Sequence, residues 1–339
     1  MKILITGGSG FIGSHFARHV VRCRPEWQVT VLDKLTYAGN LENLRDVATH
    51  PHFRFVKGDI GDPPTVHGVF RDGVDVVANF AAESHVDRSI MDAGPFIHTN
   101  VGGVRVLLDA ALQFGVQRFI QVSTDEVYGP TPPAVAFAED APLHPTSPYA
   151  ASKAAADLLC QAYAKTHGVP VVITRCTNNY GPFQFPEKLI PLAITNAMER
   201  KPIPVYGDGR QERDWLFVED HCAALLAAVD CARLEGVYNL AAGGVLPNIA
   251  VAETILRLVG ASPSLLQFTR DRPAHDRRYA LDAGRARQAL GWTPKISLAE
   301  GLARTVEWYQ RHRAWWEAVK SGEYLRYYAA WYEGALRGS

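Results

Sequence analysis

Residues 2–13 read KILITGGSGFIG, and this stretch decides the fold. Lys2–Thr6 is a short apolar, β-branched run of the kind that forms a buried strand. Gly7, Gly10 and Gly13 follow it at once and open a helix. Gly7 permits the tight turn, Gly10 lets backbone approach a pyrophosphate, and Gly13 allows close packing of helix on strand. The helix N-terminus then faces the anion with its N–H groups. Three glycines alone would mark only a turn; the strand before them and the helix after them specify a dinucleotide site.

Outward from there the pattern repeats. Further strands are expected at Gln28–Leu32, Phe53–Lys57, Val74–Asn79, Arg118–Ser123 and Val169–Arg175, with helical stretches between them such as Ile12–Arg22 and Val101–Phe114. Such alternation means βαβ units, so the fold class is α/β, a Rossmann-type doubly wound parallel sheet. After about Arg175 the regularity weakens, and Pro and Gly cluster at Gly181-Pro182, Pro202–Gly209 and Pro247. That punctuation suits a smaller lobe of loops and short elements. Asp220–Leu234 reads as a helix, Gly236–Leu240 as a strand returning to the first sheet, and Leu298–Gln310 as an amphipathic helix. Residues 1–177 are thus expected to form a cofactor-binding domain to which 215–245 return. Residues 178–214 and 246–339 are expected to form a smaller C-terminal substrate-binding lobe. The tail aromatics Trp315, Trp316, Tyr324, Tyr327, Tyr328, Trp331 and Tyr332 are expected to pack over the body.

Lys+Arg and Asp+Glu both total 35, so no global field recruits nucleic acid or an anionic membrane. An anionic small substrate needs a local basic pocket instead. The five cysteines, Cys23, Cys160, Cys176, Cys222 and Cys231, are odd in number and form no CxxC pair. Neither a disulfide framework nor a metal site is expected, and reduced thiols in a cytoplasm fit best. No signal peptide precedes the first strand, and the most apolar stretch, around Ala223 to Val229, is too short to span a bilayer.

Asp33 ends the second strand, 20 residues after Gly13. A carboxylate there accepts the ribose hydroxyls of NAD and repels a 2′-phosphate, a repulsion that the adjacent Lys34 softens. Asp59-Ile60, after the third strand, is placed to flank the adenine. Tyr149 and Lys153 are four apart and share one helix face, with Ser147-Pro148 as N-cap and first-turn proline. A lysine ammonium beside a tyrosine lowers the phenol pKa, so the pair is expected to take a proton from a sugar hydroxyl during hydride transfer. Thr124-Asp125-Glu126 follows the fifth strand, at the carboxyl end where α/β proteins bind ligands. Adjacent carboxyls repel, which raises one pKa and lets one act as acid and the other as base.

With these residues in place, the chain resembles the nucleotide-sugar 4,6-dehydratases of the extended short-chain dehydrogenase/reductase superfamily, the dTDP-hexose branch above all. The resemblance covers nearly the whole length. It rests on TGGSGFIGSH from Thr6, LDKLTYAGN from Leu32, AAESHVDRSI from Ala81 and STDEVYG from Ser123. It continues through SPYAASKAAAD from Ser147, NNYGPFQFPEKLIP from Asn178, YGDGRQERDW from Tyr206 and RPAHDRRYALD from Arg272. Epimerases and decarboxylases of the superfamily usually carry small residues where Asp125 and Glu126 stand.

The resemblance implies a role for each motif. Tyr149 would be the oxidation base with Lys153 as its partner, Asp125 would protonate the departing C6 hydroxyl, Glu126 would remove the C5 proton, and Thr124 would bond the 4-hydroxyl. Phe11, Ile12 and Thr36 would join the glycines and Asp33 around NAD. Ala81, Ala82, Ser84 and Thr99 would line the nicotinamide ribose, His85 would touch the sugar, and Asn178 and Asn179 would lie between substrate and cofactor. Lys188, Leu189, Pro204, Val205, Tyr206, Arg213, Asn248, and Asp271 to His275, including Arg272, would hold the nucleotide diphosphate. Arg213, Arg272 and Lys188 supply the local cationic pocket that a neutral chain needs. The implied substrate is dTDP-glucose or a similar nucleotide-hexose, and the implied assembly is a homodimer built on a four-helix bundle. A UDP-sugar dehydratase or 4-epimerase, or a non-catalytic dinucleotide-binding protein, are the competing readings. An epimerase has no use for the carboxyl pair, and a dead protein would be expected to lose Tyr149 or Lys153.

Overall fold

The computed structural model describes residues 1–231, 233–321 and 326. Period-two alternation in the first strand already implies a sheet covered on both faces. In β1 (Lys2–Thr6), Ile3 and Ile5 enter one core while Leu4 enters the other. The same division holds along β2 (Gln28–Asp33), where Val29 and Val31 face one side and Leu32 the other. With β3 (Phe53–Lys57), β4 (Val76–Asn79), β5 (Arg118–Thr124), β6 (Val171–Cys176) and a later β10 (Gly236–Leu240), these strands form one seven-stranded sheet. Its order is β10-β6-β5-β4-β1-β2-β3, and every pairing is parallel. The order reverses between β1 and β4, which opens a crevice at their carboxyl ends. This is the doubly wound Rossmann arrangement. The returning strand joins it where expected, at the β6 edge.

Helices Phe11–Cys23 and Val218–Asp230 cover one face; Pro63–Arg71, Val104–Phe114 and Pro148–His167 cover the other. The expected helix from Val101 begins only at Val104, because 97–103 wind as a wider π-helical stretch ending in Gly102-Gly103. A side chain at Gly103 would lie 2.6 Å from Ile60. The helix expected to reach Leu234 stops at Asp230, where the Arg118 guanidinium donates to the Ala228 carbonyl at 2.6 Å and caps the last turn.

The remaining strands lie outside this sheet. β7 (Asn178–Tyr180), β9 (Glu212–Phe217) and β11 (Val245–Pro247) form a three-stranded sheet in the order β11-β9-β7. β8 (Ile203–Tyr206) pairs in parallel with β12 (Leu266–Thr269). Each strand of the three-stranded sheet adjoins an element of the large one. β7 follows β6 after Thr177 alone, β9 runs straight into Val218–Asp230, and β11 follows β10 after residues 241–244. A third core fills this part, with Tyr180, Trp215 and Phe217 under helices Leu189–Met198, Asn248–Val259 and Leu298–Arg311. Trp316 is fully buried in it, and the Trp315 indole N–H donates to Asn43 at 3.0 Å, so these two aromatics pack on the body as expected. Tyr324, Tyr327, Tyr328, Trp331 and Tyr332 lie outside the described residues. Among the described residues no helix is long and apolar enough to cross a membrane, and no group of three or more His, Cys, Asp or Glu side chains could hold a metal ion.

Candidate active site

Two cavities share one wall at the carboxyl edge of the large sheet. The first, of about 300 Å³, runs along the crevice beside β1. Gly7, Gly10, Phe11, Ile12 and Gly13 line one end of it, and Thr124, Asp125, Tyr149 and Lys153 line the other. The second, of about 160 Å³, lies under the smaller sheets, with Arg213, Asn248, Arg272 and His275 in its walls. Glu126, Asn178, Asn179, Gln184, Glu187 and Lys188 line both.

The glycine turn has the form a pyrophosphate requires. Gly7 takes φ +66°, and a side chain on it would lie 2.6 Å from the Ala81 nitrogen. A side chain on Gly13 would lie 2.3 Å from the Gly7 carbonyl oxygen, so helix and strand meet only because Gly13 has none. Helix Phe11–Cys23 starts at Gly10 with no side-chain cap, which leaves its first N–H groups for an anion in the cavity. Asp33, Lys34, Thr36, Asp59, Ile60, Ala81, Ala82, Ser84 and Thr99 all line this cavity. The Asp33 carboxylate accepts N–H bonds from Ser9 and Leu35, both at 2.8 Å, so it fixes the turn as well as facing the cavity. Lys34 does not stand free beside it: its ammonium pairs with Asp59 at 2.7 Å. These residues fit a dinucleotide.

The fifth strand delivers the chemistry. Thr124 is its last residue, and residues 125–128 turn into a 3₁₀ helix that Thr124 caps by accepting the Glu126 N–H at 3.3 Å. The Thr124 hydroxyl donates to Asp125 at 3.1 Å, and the second Asp125 oxygen is buried without a protein hydrogen bond. Burial, and then the neighbouring Glu126 carboxylate, push Asp125 up to about 8. Burial also raises Glu126, and Arg272, Arg213 and Lys188 offset part of that rise. One carboxyl is thus held as an acid while its neighbour is bathed in positive charge.

Ser147 caps the helix that carries Tyr149 and Lys153, accepting the Ala150 N–H at 3.1 Å, with Pro148 in the first turn. The Tyr149 and Lys153 side chains both line the first cavity. Lys153 donates to the Val122 carbonyl at 2.7 Å, and Tyr149 is held well above the usual phenol range by burial first and then by the Glu126 charge. The lowering expected from Lys153 is opposed here by burial and by the Glu126 charge. Thr124 is the phenol's hydrogen-bonded neighbour and favours the phenolate.

In the second cavity His85, Leu189, Pro204, Val205 and Tyr206 complete the wall. Arg272 pairs with Asp87 at 3.3 Å, while its Nε is buried without a protein hydrogen bond. The buried Asn178 and Asn248 side-chain oxygens are also without one. Unsatisfied polar atoms converging on a cavity mark a place where a ligand completes the bonding. Asn179 is tied at both ends of its amide, to the Thr177 carbonyl at 3.0 Å and to His221 at 2.8 Å. Sequence reading passed over Asp87, Gln211, Tyr279 and Glu187. Tyr279 lies in a quoted motif and stacks on the Arg213 guanidinium at 4.2 Å, and Glu187 stands next to Lys188. All four lie in quoted motifs, and that membership was the only signal for them, since their partners come from distant segments.

Comparison with known proteins agrees with this geometry. A dTDP-glucose 4,6-dehydratase of Actinoplanes sp. is 50% identical over 321 residues, which cover 93% of this chain and 100% of the relative. The crystal structure of DesIV, a dTDP-glucose 4,6-dehydratase from Streptomyces venezuelae solved with NAD bound, superposes with a TM-score of 0.92 at 48% identity, covering 94% of this chain and 100% of that one. A UDP-glucose 4-epimerase from Thermus thermophilus, in complex with NAD, shares the fold at TM-score 0.85 and 31% identity over 92% of this chain and 100% of its own. The family model described as GDP-mannose 4,6 dehydratase matches residues 4–305, and the chain belongs to that family.

Proposed function

We propose that this chain dehydrates dTDP-glucose to its 4-keto-6-deoxy product with NAD as a resident cofactor. The observation that carries the reading is the Asp125–Glu126 pair, one carboxyl raised to about 8 and the other facing three cations, at the seam of two cavities. When bound, NAD supplies the acceptor and later the donor of one hydride. Tyr149 takes the proton of the C4 hydroxyl, with Thr124 beside it to hold the phenolate. The 4-ketone acidifies C5, from which Glu126 removes a proton. Asp125, protonated at neutral pH, gives its proton to the leaving C6 hydroxyl, so water departs and the charges balance. Lys153, anchored on the strand carbonyl, orients the cofactor side of the cleft. Arg213, Arg272 and Lys188 neutralise the diphosphate. Relatives named dTDP-glucose 4,6-dehydratase at 50% identity support the nucleobase assignment. The carboxyl pair speaks against 4-epimerisation, which makes no bond change at C5 or C6.

In this reading residues 1–177, with 215–245 returning to them, form the cofactor lobe, and 178–214 with the described residues from 246 onward form the lobe for the nucleotide sugar. A homodimer fits the exposed Leu112 and Leu158 on the neighbouring helices Val104–Phe114 and Pro148–His167, and the free cysteines fit a reducing compartment such as the cytoplasm. Isotopes test the reaction. Substrate deuterated at C4 should give product with that deuterium in the C6 methyl group, and unlabelled substrate in D2O should gain deuterium at C5. Return of the label to C4, or its appearance in free NADH, would overturn the reading.

A further inference from the structure

The rims of the first cavity are joined by a side chain that does not line it. One rim is the 34–40 loop after β2, which contributes Lys34, Thr36, Ala38 and Gly39. The opposite rim is the segment 181–188 between β7 and helix Leu189–Met198, which contributes Phe185 and Glu187. Tyr37 crosses between them. Its ring meets Phe185 edge-on, with centroids 5.4 Å apart and planes at 85°. The Arg88 guanidinium lies 3.7 Å over the same ring. Arg88 Nε is in turn 3.4 Å from the buried Glu187 carboxylate, which also takes the Tyr37 hydroxyl as a hydrogen-bond partner. Three separate chain segments therefore close over the cavity through one aromatic ring, one cation and one carboxylate.

We propose that Tyr37, Arg88 and Glu187 are positioning residues that lock the nicotinamide dinucleotide in the cleft, so that the reduced form stays bound between the removal of a hydride and its return. The inference rests on the redox-neutral cycle proposed above, in which cofactor lost at mid-cycle would strand the substrate as a ketone. An edge-to-face ring contact and a stacked guanidinium together oppose opening of the rim. The same carboxylate lies 3.9 Å from the His85 ring in the second cavity, so the closure extends to the wall that faces the nucleotide sugar.

The test measures release of NAD and needs no sugar. Protein loaded with radiolabelled NAD is chased with an excess of unlabelled NAD, and the bound label is followed with time. Tyr37→Ala should release NAD about 10- to 100-fold faster than the parent chain, as loss of both ring contacts requires. Tyr37→Phe keeps both contacts and should stay close to the parent rate. Arg88→Met removes the stacked cation at similar length and should also accelerate release, and it serves in place of Tyr37→Ala if that variant is unfolded by circular dichroism. A folded Tyr37→Ala or Arg88→Met that releases NAD at the parent rate overturns the proposal. A chain that takes up no NAD overturns both it and the function. Fast release from Tyr37→Ala in a protein that dehydrates none of the nucleotide-hexoses would sink the reaction assigned and leave the lock standing.

Discussion

The two cavities meet at Glu126, yet they are made of different material. The cofactor cavity is shaped by backbone: a glycine turn, an uncapped helix start and the carboxyl ends of parallel strands. Its glycines lie within a few positions of one another along the chain, and its other lining residues stand at or just beyond the ends of successive strands. The nucleotide-sugar cavity is shaped by side chains that arrive from far apart, with Asp87 and Arg272 in contact across 185 positions. The first can be altered by adding a single carbon at Gly7 or Gly13, the second by removing charge or a hydrogen-bonding group. The difference teaches that a site built of backbone is legible from spacing, whereas a site built of converging side chains is legible only from the fold.

Substitutions sharpen the contrast. The largest effect belongs to the seam. Asp125→Asn and Glu126→Gln should still allow oxidation at C4 but slow elimination about 100-fold or more, so that absorbance at 340 nm builds up in the protein during a single turnover. Elimination in the parent chain should fall as pH rises through about 8, where Asp125 loses the proton it must donate, and Asp125→Asn should flatten that limb. Loss of the 340 nm signal in both variants would show that the carboxyls do not divide the work in this way. Next comes the side-chain cavity. Arg272→Met should weaken binding of the nucleotide diphosphate by about 2–5 kcal/mol, the range for truncating one partner of a buried charge pair, with NAD content unchanged. Calorimetric titration with the product nucleotide measures it, and a parallel loss of NAD would blur the distinction between the cavities. The smallest effect is steric. Gly13→Ala, whose new carbon would press on the Gly7 carbonyl, should cost about 1–3 kcal/mol of stability and release NAD while leaving nucleotide affinity in place. Thermal melting together with cofactor content reads both.

The large sheet was legible because each strand carries its own two-sided apolar pattern and each glycine turn its own local reason. The returning strand Gly236–Leu240 was found for the same cause. Helix ends were less legible. Arg118 stops a helix more than a hundred positions away, and nothing near Asp230 announces it. The three-stranded sheet was missed because β7 and β11 span only three residues each, too short for any period to show. At the site, Tyr149 and Lys153 share one helix, as their spacing implies. Helical spacing says nothing of the Val122 carbonyl that takes the ammonium, nor of the carboxylates that raise the phenol.

The three-stranded sheet has a mechanical consequence. All three of its strands are spliced to the large sheet or its helices within four residues or fewer, at Thr177, at Phe217-Val218 and at 241–244. These splices tie the three-stranded sheet to the large one, so that Asn178 and Asn179 keep station beside the strand ends that carry Thr124 and Cys176.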